Sequence, residues 1–79
     1  GTLVELSNEE IGIVLSEYRT RRLRPKVLII MDAEKNLLEE MRPLDLTTVT
    51  HDERGLPLEI VTSLEVGAYG IDPESLYLF

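Results

Sequence analysis

The chain has no cysteine, no tryptophan, a single histidine (His51) and a single phenylalanine (Phe79). Without cysteine there is no disulfide framework and no thiolate for metal binding or nucleophilic attack, which agrees with a reducing, cytoplasmic setting. One imidazole is too few for a His-rich metal centre. It also leaves Ser7, Ser16, Ser63 and Ser75 without an evident triad, since a nucleophilic serine needs a positioned base and an orienting acid. Long apolar runs are missing too: the longest, residues 27–31, is five residues, against about 18 for a membrane span. No cofactor is expected. Gly1 and Thr2 pass at once into an apolar stretch, so the chain is expected to be one domain, residues 1–79, from the C-terminal end of a longer multidomain protein.

Positive charge is scarce. Eight Lys and Arg face 15 Asp and Glu, for a formal net charge of -7, whereas domains that embrace nucleic acid usually carry a basic field. Yet five of the eight cations, Arg19, Arg21, Arg22, Arg24 and Lys26, fall in the nine residues "YRTRRLRPK" at 18–26. Guanidinium groups offer bidentate donors to phosphate, and five phosphate contacts would give a log-log salt slope of about -4 to -5. Only Tyr18 could stack on a base there. The spacing also fails the Arg-x-x-x-Arg pattern by which PilZ domains bind cyclic di-GMP: four residues after Arg19, Arg21 and Arg22 stand Leu23, Pro25 and Lys26. The stretch therefore reads as a solvated connection, latched onto acidic neighbours such as Glu9, Glu10, Glu39 and Glu40, or as a contact with another domain. Pro25 would end this loop where a strand begins.

A chain of 79 residues buries only about 60% of the surface it exposes when unfolded, so its core is thin. Short segments of strand character fill it. Residues 3–6 and 11–15 flank Ser-Asn-Glu-Glu as a hairpin, and Gly12 signals a bulge or a close backbone approach. Residues 26–31, β-branched and apolar on both faces, read as the central strand. In "DAEKNLLEEMRP" Asp32 could cap a helix with Leu37, Leu38 and Met41 on one face. A turn over 32–36 leading into a strand is preferred, because no loop precedes the helix and Arg42-Pro43 would stop it after two turns. "TTVTHDERGLP" is a loop. Leu58, Ile60, Thr62 and Leu64 then alternate as a half-buried strand, and Asp72-Pro73 offers a short helical turn. Tyr69, Tyr77 and Phe79 are expected to close one end of the core. The expected fold is all-β: a small antiparallel barrel or curled sheet of about five strands, Src-homology-3-like.

The phrases "GTLVELSNEEIGIVLSE", "RPKVLIIMDAEKNLL", "PLDLTT" and "GAYGIDPESLYLF", in this order, resemble the tail that follows the catalytic domain in many bacterial HD-GYP proteins, metal-dependent phosphodiesterases of cyclic di-GMP. The resemblance spans nearly the whole chain. It implies a non-catalytic accessory domain that docks or positions the catalytic unit, with other domains of the parent, or a second copy of the chain, as partners. The family's metal ligands and Gly-Tyr-Pro signature are not in this sequence. His51-Asp52 spells "HD" without companions and reads as ordinary loop, and Ala68-Tyr69-Gly70 is not Gly-Tyr-Pro. Where family tails often place glycine in a Ser-Asn-Gly-Glu type turn, this chain has Glu9, which points to a longer or differently shaped turn. The reading from a different class is a barrel module that binds nucleotide or RNA phosphates through the basic stretch 19–26.

Overall fold

The computed structural model describes residues 2–18, 21–65 and 67–71, with backbone alone for 16–18 and 21–23. Five strands follow in chain order: β1 (Leu3–Leu6), β2 (Ile11–Tyr18), β3 (Arg21–Met31), β4 (Leu37–Asp45) and β5 (Ile60–Leu64), then a 3-10 turn at Ala68–Gly70. They form one antiparallel sheet in the order β4-β3-β2-β1-β5. The two outer strands do not pair, so the sheet is open, and of the two expected forms it is the curled sheet. Register shifts interrupt the β1–β5, β2–β3 and β3–β4 pairings, and each bulge adds local bend and twist. Among the described residues no helix is long and apolar enough to cross a membrane.

Strand alternation sorts the core onto the two faces of the sheet. Leu3, Ile11, Ile13 and Ile30 gather on one side with Ile71 from the last turn, while Val4, Leu6, Val27 and Ile29 gather on the other with Leu46 and Leu58 from the loop after β4. Each of these residues is at most 5% exposed. An element that is apolar on both faces must be covered twice, and the chain covers the second face by folding residues 46–58 back over it. Gly12 is required by close approach: a Cβ there would lie 3.2 Å from the Leu28 carbonyl oxygen and 3.3 Å from Ile29 Cδ1. The β2–β3 register also shifts beside it, so both meanings of a glycine within a strand hold here.

Three expectations are corrected. Residues 21–26 of the basic stretch are not loop, because β3 begins at Arg21 and carries them as strand. Pro25 lies inside that strand rather than at its start. The central strand is β2, not the segment at 26–31, which lies one place towards the β4 edge. Apolar residues on both faces mark a strand as interior, and two interior strands cannot be ranked that way. Lastly, Tyr69 is 51% exposed and does not close the core. It sits at φ 55° between Gly67 and Gly70 in the 3-10 turn, with Lys35 Nζ 6.0 Å from its ring centroid, at the outer limit of a cation–π contact. Tyr77, Phe79 and the helical turn expected at Asp72-Pro73 lie outside the described residues.

The hairpin at 32–36 forms as expected, and it shares its geometry with two other turns. In each, the first residue's carbonyl accepts from the N–H three residues on, and its own N–H donates to the carbonyl four on: Leu6 with Glu9 and Glu10, Asp32 with Lys35 and Asn36, Asp52 with Gly55 and Leu56. The fourth residue is left-handed each time, at φ 73°, 68° and 79° for Glu9, Lys35 and Gly55. This is the three-residue hairpin loop, whose last position favours glycine. The turn at Glu9 therefore has the same length and form as the turn at Gly55, and the β1–β2 register runs uninterrupted from Leu3 opposite Ile13 to Glu5 opposite Ile11. A side chain in the left-handed region costs roughly 1–2 kcal/mol. Glu9→Gly is accordingly expected to raise stability by about 1 kcal/mol in urea unfolding, because the lysine that crosses to this turn bonds the residue 9 carbonyl and not its side chain.

Candidate functional site

The five cations of the basic stretch do not share one environment. Arg19 lies outside the described residues, and Arg21 and Arg22 are placed as β3 backbone. Lys26 is exposed and stands opposite Ser16 on one side and Asp45 on the other. Arg24 turns inward. Its Nε donates to the Leu46 carbonyl at 2.6 Å, and its Nη2 donates to the carbonyls of Val49 at 3.2 Å and Leu58 at 2.9 Å.

The reason for this arrangement lies in the next residue. Pro25 and Leu46 stand one step past the end of the β3–β4 ladder, whose last pair is Lys26 with Asp45, and there the Leu46 N–H donates to the Pro25 carbonyl at 3.3 Å. An antiparallel pair of this kind exchanges two bonds, but proline has no N–H to return. Arg24 Nε supplies the missing donor, and the rest of the guanidinium ties the far end of the covering loop to the same point. The dipeptide Arg24-Pro25 is thus a joint between sheet and cover.

That cover frames a groove of about 610 Å³ between the 6–10 turn and the loop that carries His51 to Arg54, with Leu44, Val49 and Leu58 in its lining. Arg42 of β4 crosses it to Glu10, Nη2 to Oε2 at 2.7 Å, and Asn8 Nδ2 donates to the other Glu10 oxygen at 2.7 Å. Glu10 is therefore latched by Arg42 and Asn8, a pairing that the sequence does not single out. An ion pair as open as this contributes at most about 1 kcal/mol. Lys35 ties two turns together: its ammonium donates to Glu5 Oε2 at 3.0 Å and to the Glu9 carbonyl.

Ser7 and Asp52 of the groove are engaged in holding turns. Ser7 Oγ donates to the Pro57 carbonyl at 2.9 Å and accepts from the Glu59 N–H at 3.0 Å. His51 is exposed, and its Nδ1 lies 2.9 Å from Thr50 Oγ1. Asp52 Oδ1 accepts from the N–H groups of Arg54 and Leu56, and Oδ2 receives the Arg54 guanidinium at 3.1 Å. Of the "HD" dipeptide, Asp52 holds the 52–56 turn. Among the described residues no three His, Asp or Glu side chains converge as a metal site would need.

Asp52 titrates below its ordinary 3.8. Desolvation, the largest influence, pushes its carboxyl up. The Leu56 N–H, the Arg54 side chain and N–H, and the Arg54 charge together outweigh it. A depressed folded value means that Asp52 stabilises the loop above its unfolded pKa and that this contribution is lost as pH falls through the folded one. Its carboxyl carbon, followed by NMR, is expected to titrate with a midpoint under 3.8, and Arg54→Met is expected to move that midpoint upward.

The model of a family described as "KOW domain associated with HD domain" matches residues 3–51, which cover β1 to β4 and the first part of the covering loop. No curated protein and no solved structure matches the chain.

Proposed function

The chain belongs to the family of KOW domains associated with HD domains, and on that premise we propose that it is the non-catalytic accessory domain of an HD-GYP-type cyclic di-GMP phosphodiesterase. In this reading it docks against the catalytic domain and positions it within the bacterial cytoplasm, and the hydrolase chemistry belongs to that other domain. The observation that carries the reading is the family match over four of the five strands. Three features support it. The phrases that resemble HD-GYP tails run in order along the chain. Ser7 and Asp52 of the groove serve its turns. Finally, of the basic stretch, Arg24 gives its donors to backbone carbonyls, which weakens the alternative of a phosphate grip by five convergent cations.

The test is a pair of titrations of the isotopically labelled chain. A separately produced HD-GYP catalytic domain is expected to broaden or shift one contiguous set of amides. Cyclic di-GMP, mononucleotide or short RNA at millimolar concentration is expected to leave the amides of 19–26 unmoved. A localised, salt-sensitive response there would overturn the reading in favour of a phosphate-binding module. Hydrolysis of cyclic di-GMP by the chain alone with manganese or iron would overturn the assignment of chemistry to the other domain.

A further inference from the structure

The two edges of the sheet are built differently. On β4, the ladder alternation that pairs Pro25 with Leu46 also makes Val27 with Leu44 a bonded pair, so Leu28 and Pro43, opposite one another, form a non-bonded pair. The backbone nitrogen of Pro43 therefore faces the outside of the sheet, where it has no hydrogen to offer. Glu39, Glu40 and Arg42 are exposed along the same strand. Proline and charge are the usual guards of a free edge.

On β5 the strand itself, Ile-Val-Thr-Ser-Leu, has neither. The Leu6 N–H donates to Glu10 and the Thr2 carbonyl accepts from Val14, so the even-numbered residues of β1 turn towards β2, and Leu3 and Glu5 turn towards β5. Opposite these two stand Leu64 and Thr62. Ser63, between them, must direct its N–H and C=O away from the sheet, where the carbonyl already accepts from Thr62 Oγ1 at 3.2 Å and keeps one lone pair for a partner. Ile60 also directs its N–H and C=O outward, because both backbone groups of its neighbour Glu59 turn inward to Ser7. Residues 61–63 are exposed, with Val61 at 57%. Exposed carboxylates flank the strand, Glu59 before it and Glu65 after it.

We infer that β5 is a docking edge that receives one extended polypeptide segment with a neutral, β-branched centre and Lys or Arg on each side. The charge pattern selects the occupant. A second copy would bring together two chains of charge -7 each, with Glu59 and Glu65 of both along the shared edge, so like charge opposes it. A segment with basic flanks turns the same two positions into cross-strand ion pairs. Its backbone bonds to Ile60 and Ser63 provide attachment, as in other strand-addition complexes, and the flanks provide selectivity. The register shift beside Ile60 confines the regular edge to a few residues, which suits a short segment in one register. The inference rests on the docking role above and names the edge by which the partner is held.

The experiment uses two capped peptides, Lys-Thr-Val-Thr-Val-Thr-Lys and its counterpart with Glu at both ends, added to the labelled chain. The lysine peptide is expected to shift the Ser63 amide and slow its exchange, and to bind about tenfold more tightly than the glutamate peptide. Raising NaCl from about 50 to about 500 mM is expected to shrink that ratio. Ser63→Pro, which removes the outward N–H, is expected to abolish binding. Val61→Lys, a change on an exposed side chain that leaves folding intact, is expected to weaken the lysine peptide several-fold. Equal affinity for the two peptides, shifts confined to β4 or the groove, no saturation at millimolar peptide, or a stable dimer of the chain that Val61→Lys dissociates would each overturn the inference. The peptides contain no catalytic domain, so their failure leaves the accessory role to its own titration. Peptide binding without any catalytic-domain response would instead sink that role and keep the edge.

Discussion

Arg24→Met is expected to lower the thermal midpoint by about 12–25 °C, the largest effect of any single side chain away from the apolar core. The guanidinium bonds three carbonyls, those of Leu46, Val49 and Leu58, and Leu46 and Leu58 are residues of the buried cluster on the covered face. A hydrogen bond to a charged group contributes about 1.5–3 kcal/mol, and removing its donor leaves the acceptor to bear its own desolvation. Methionine keeps most of the aliphatic stem, so the loss reports the donors rather than the packing. Allowing for partial access of water to the Val49 carbonyl, the net cost is about 3 kcal/mol. For a chain of this length total stability is about 4–12 kcal/mol, and 1 kcal/mol moves the midpoint by about 4–8 °C. Arg24→Lys is expected to recover less than half, because one ammonium cannot address three acceptors spread along a planar fork. Circular dichroism melts of the two variants check this, and a change under about 1 kcal/mol for Arg24→Met would show that the joint is not what holds the cover.

The same residue shows where the sequence could be read and where it could not. Strand character along 3–6, 11–15, 26–31 and 58–64 is visible because apolar and β-branched residues recur with turn formers between them, and the hairpin at 32–36 is visible because Pro43 leaves no room for a helix. These local signals hold except in the last segment, where the strand is only 60–64 and the expected alternation gives way to an exposed run at 61–63. The loop reading of the basic stretch fails over 21–26, because charge and proline read as loop composition. Here they lie in a strand whose missing N–H is replaced by an adjacent side chain, a compensation that exists only once residue 46 has been brought beside residue 25. The Arg42–Glu10 pair spans 32 positions, and no local pattern announces it. Glu9 at φ 73° is a milder case: its cost can be inferred from the turn, but the turn could not be inferred from glutamate. The candidate docking edge was in principle open to reading, since Ile-Val-Thr-Ser-Leu between two glutamates contrasts with the charged, proline-bearing β4. Knowing that these two strands lie at the edges requires the sheet order.

Leu46→Ala is expected to cost about 3 kcal/mol, and its coupling to Arg24 is the sharper measurement. Leu46 is fully buried and packs in the cluster with Val4, Leu6, Val27, Ile29 and Leu58. Truncating a buried leucine costs about 2–5 kcal/mol, depending on how far the site collapses. At this site collapse is restrained, because the backbone of residue 46 is bonded in both directions, to Pro25 through its N–H and to Arg24 through its carbonyl. The side chain and the guanidinium therefore hold one joint from opposite sides, and neither can act fully without the other. In a double-mutant cycle with Arg24→Met the two losses are expected to sum to about 1 kcal/mol more than the double variant loses, since residues that share a partner are not additive. Leu37→Ala, at a side chain 59% exposed on β4, is expected to stay within about 0.5 kcal/mol and serves as the control. Additivity between Leu46 and Arg24 within that margin would mean that the cover is held by apolar contact alone. The coupling predicted from the bonded backbone instead makes release of the loop a single cooperative event, and the groove wall formed by Val49, His51 and Arg54 opens with it.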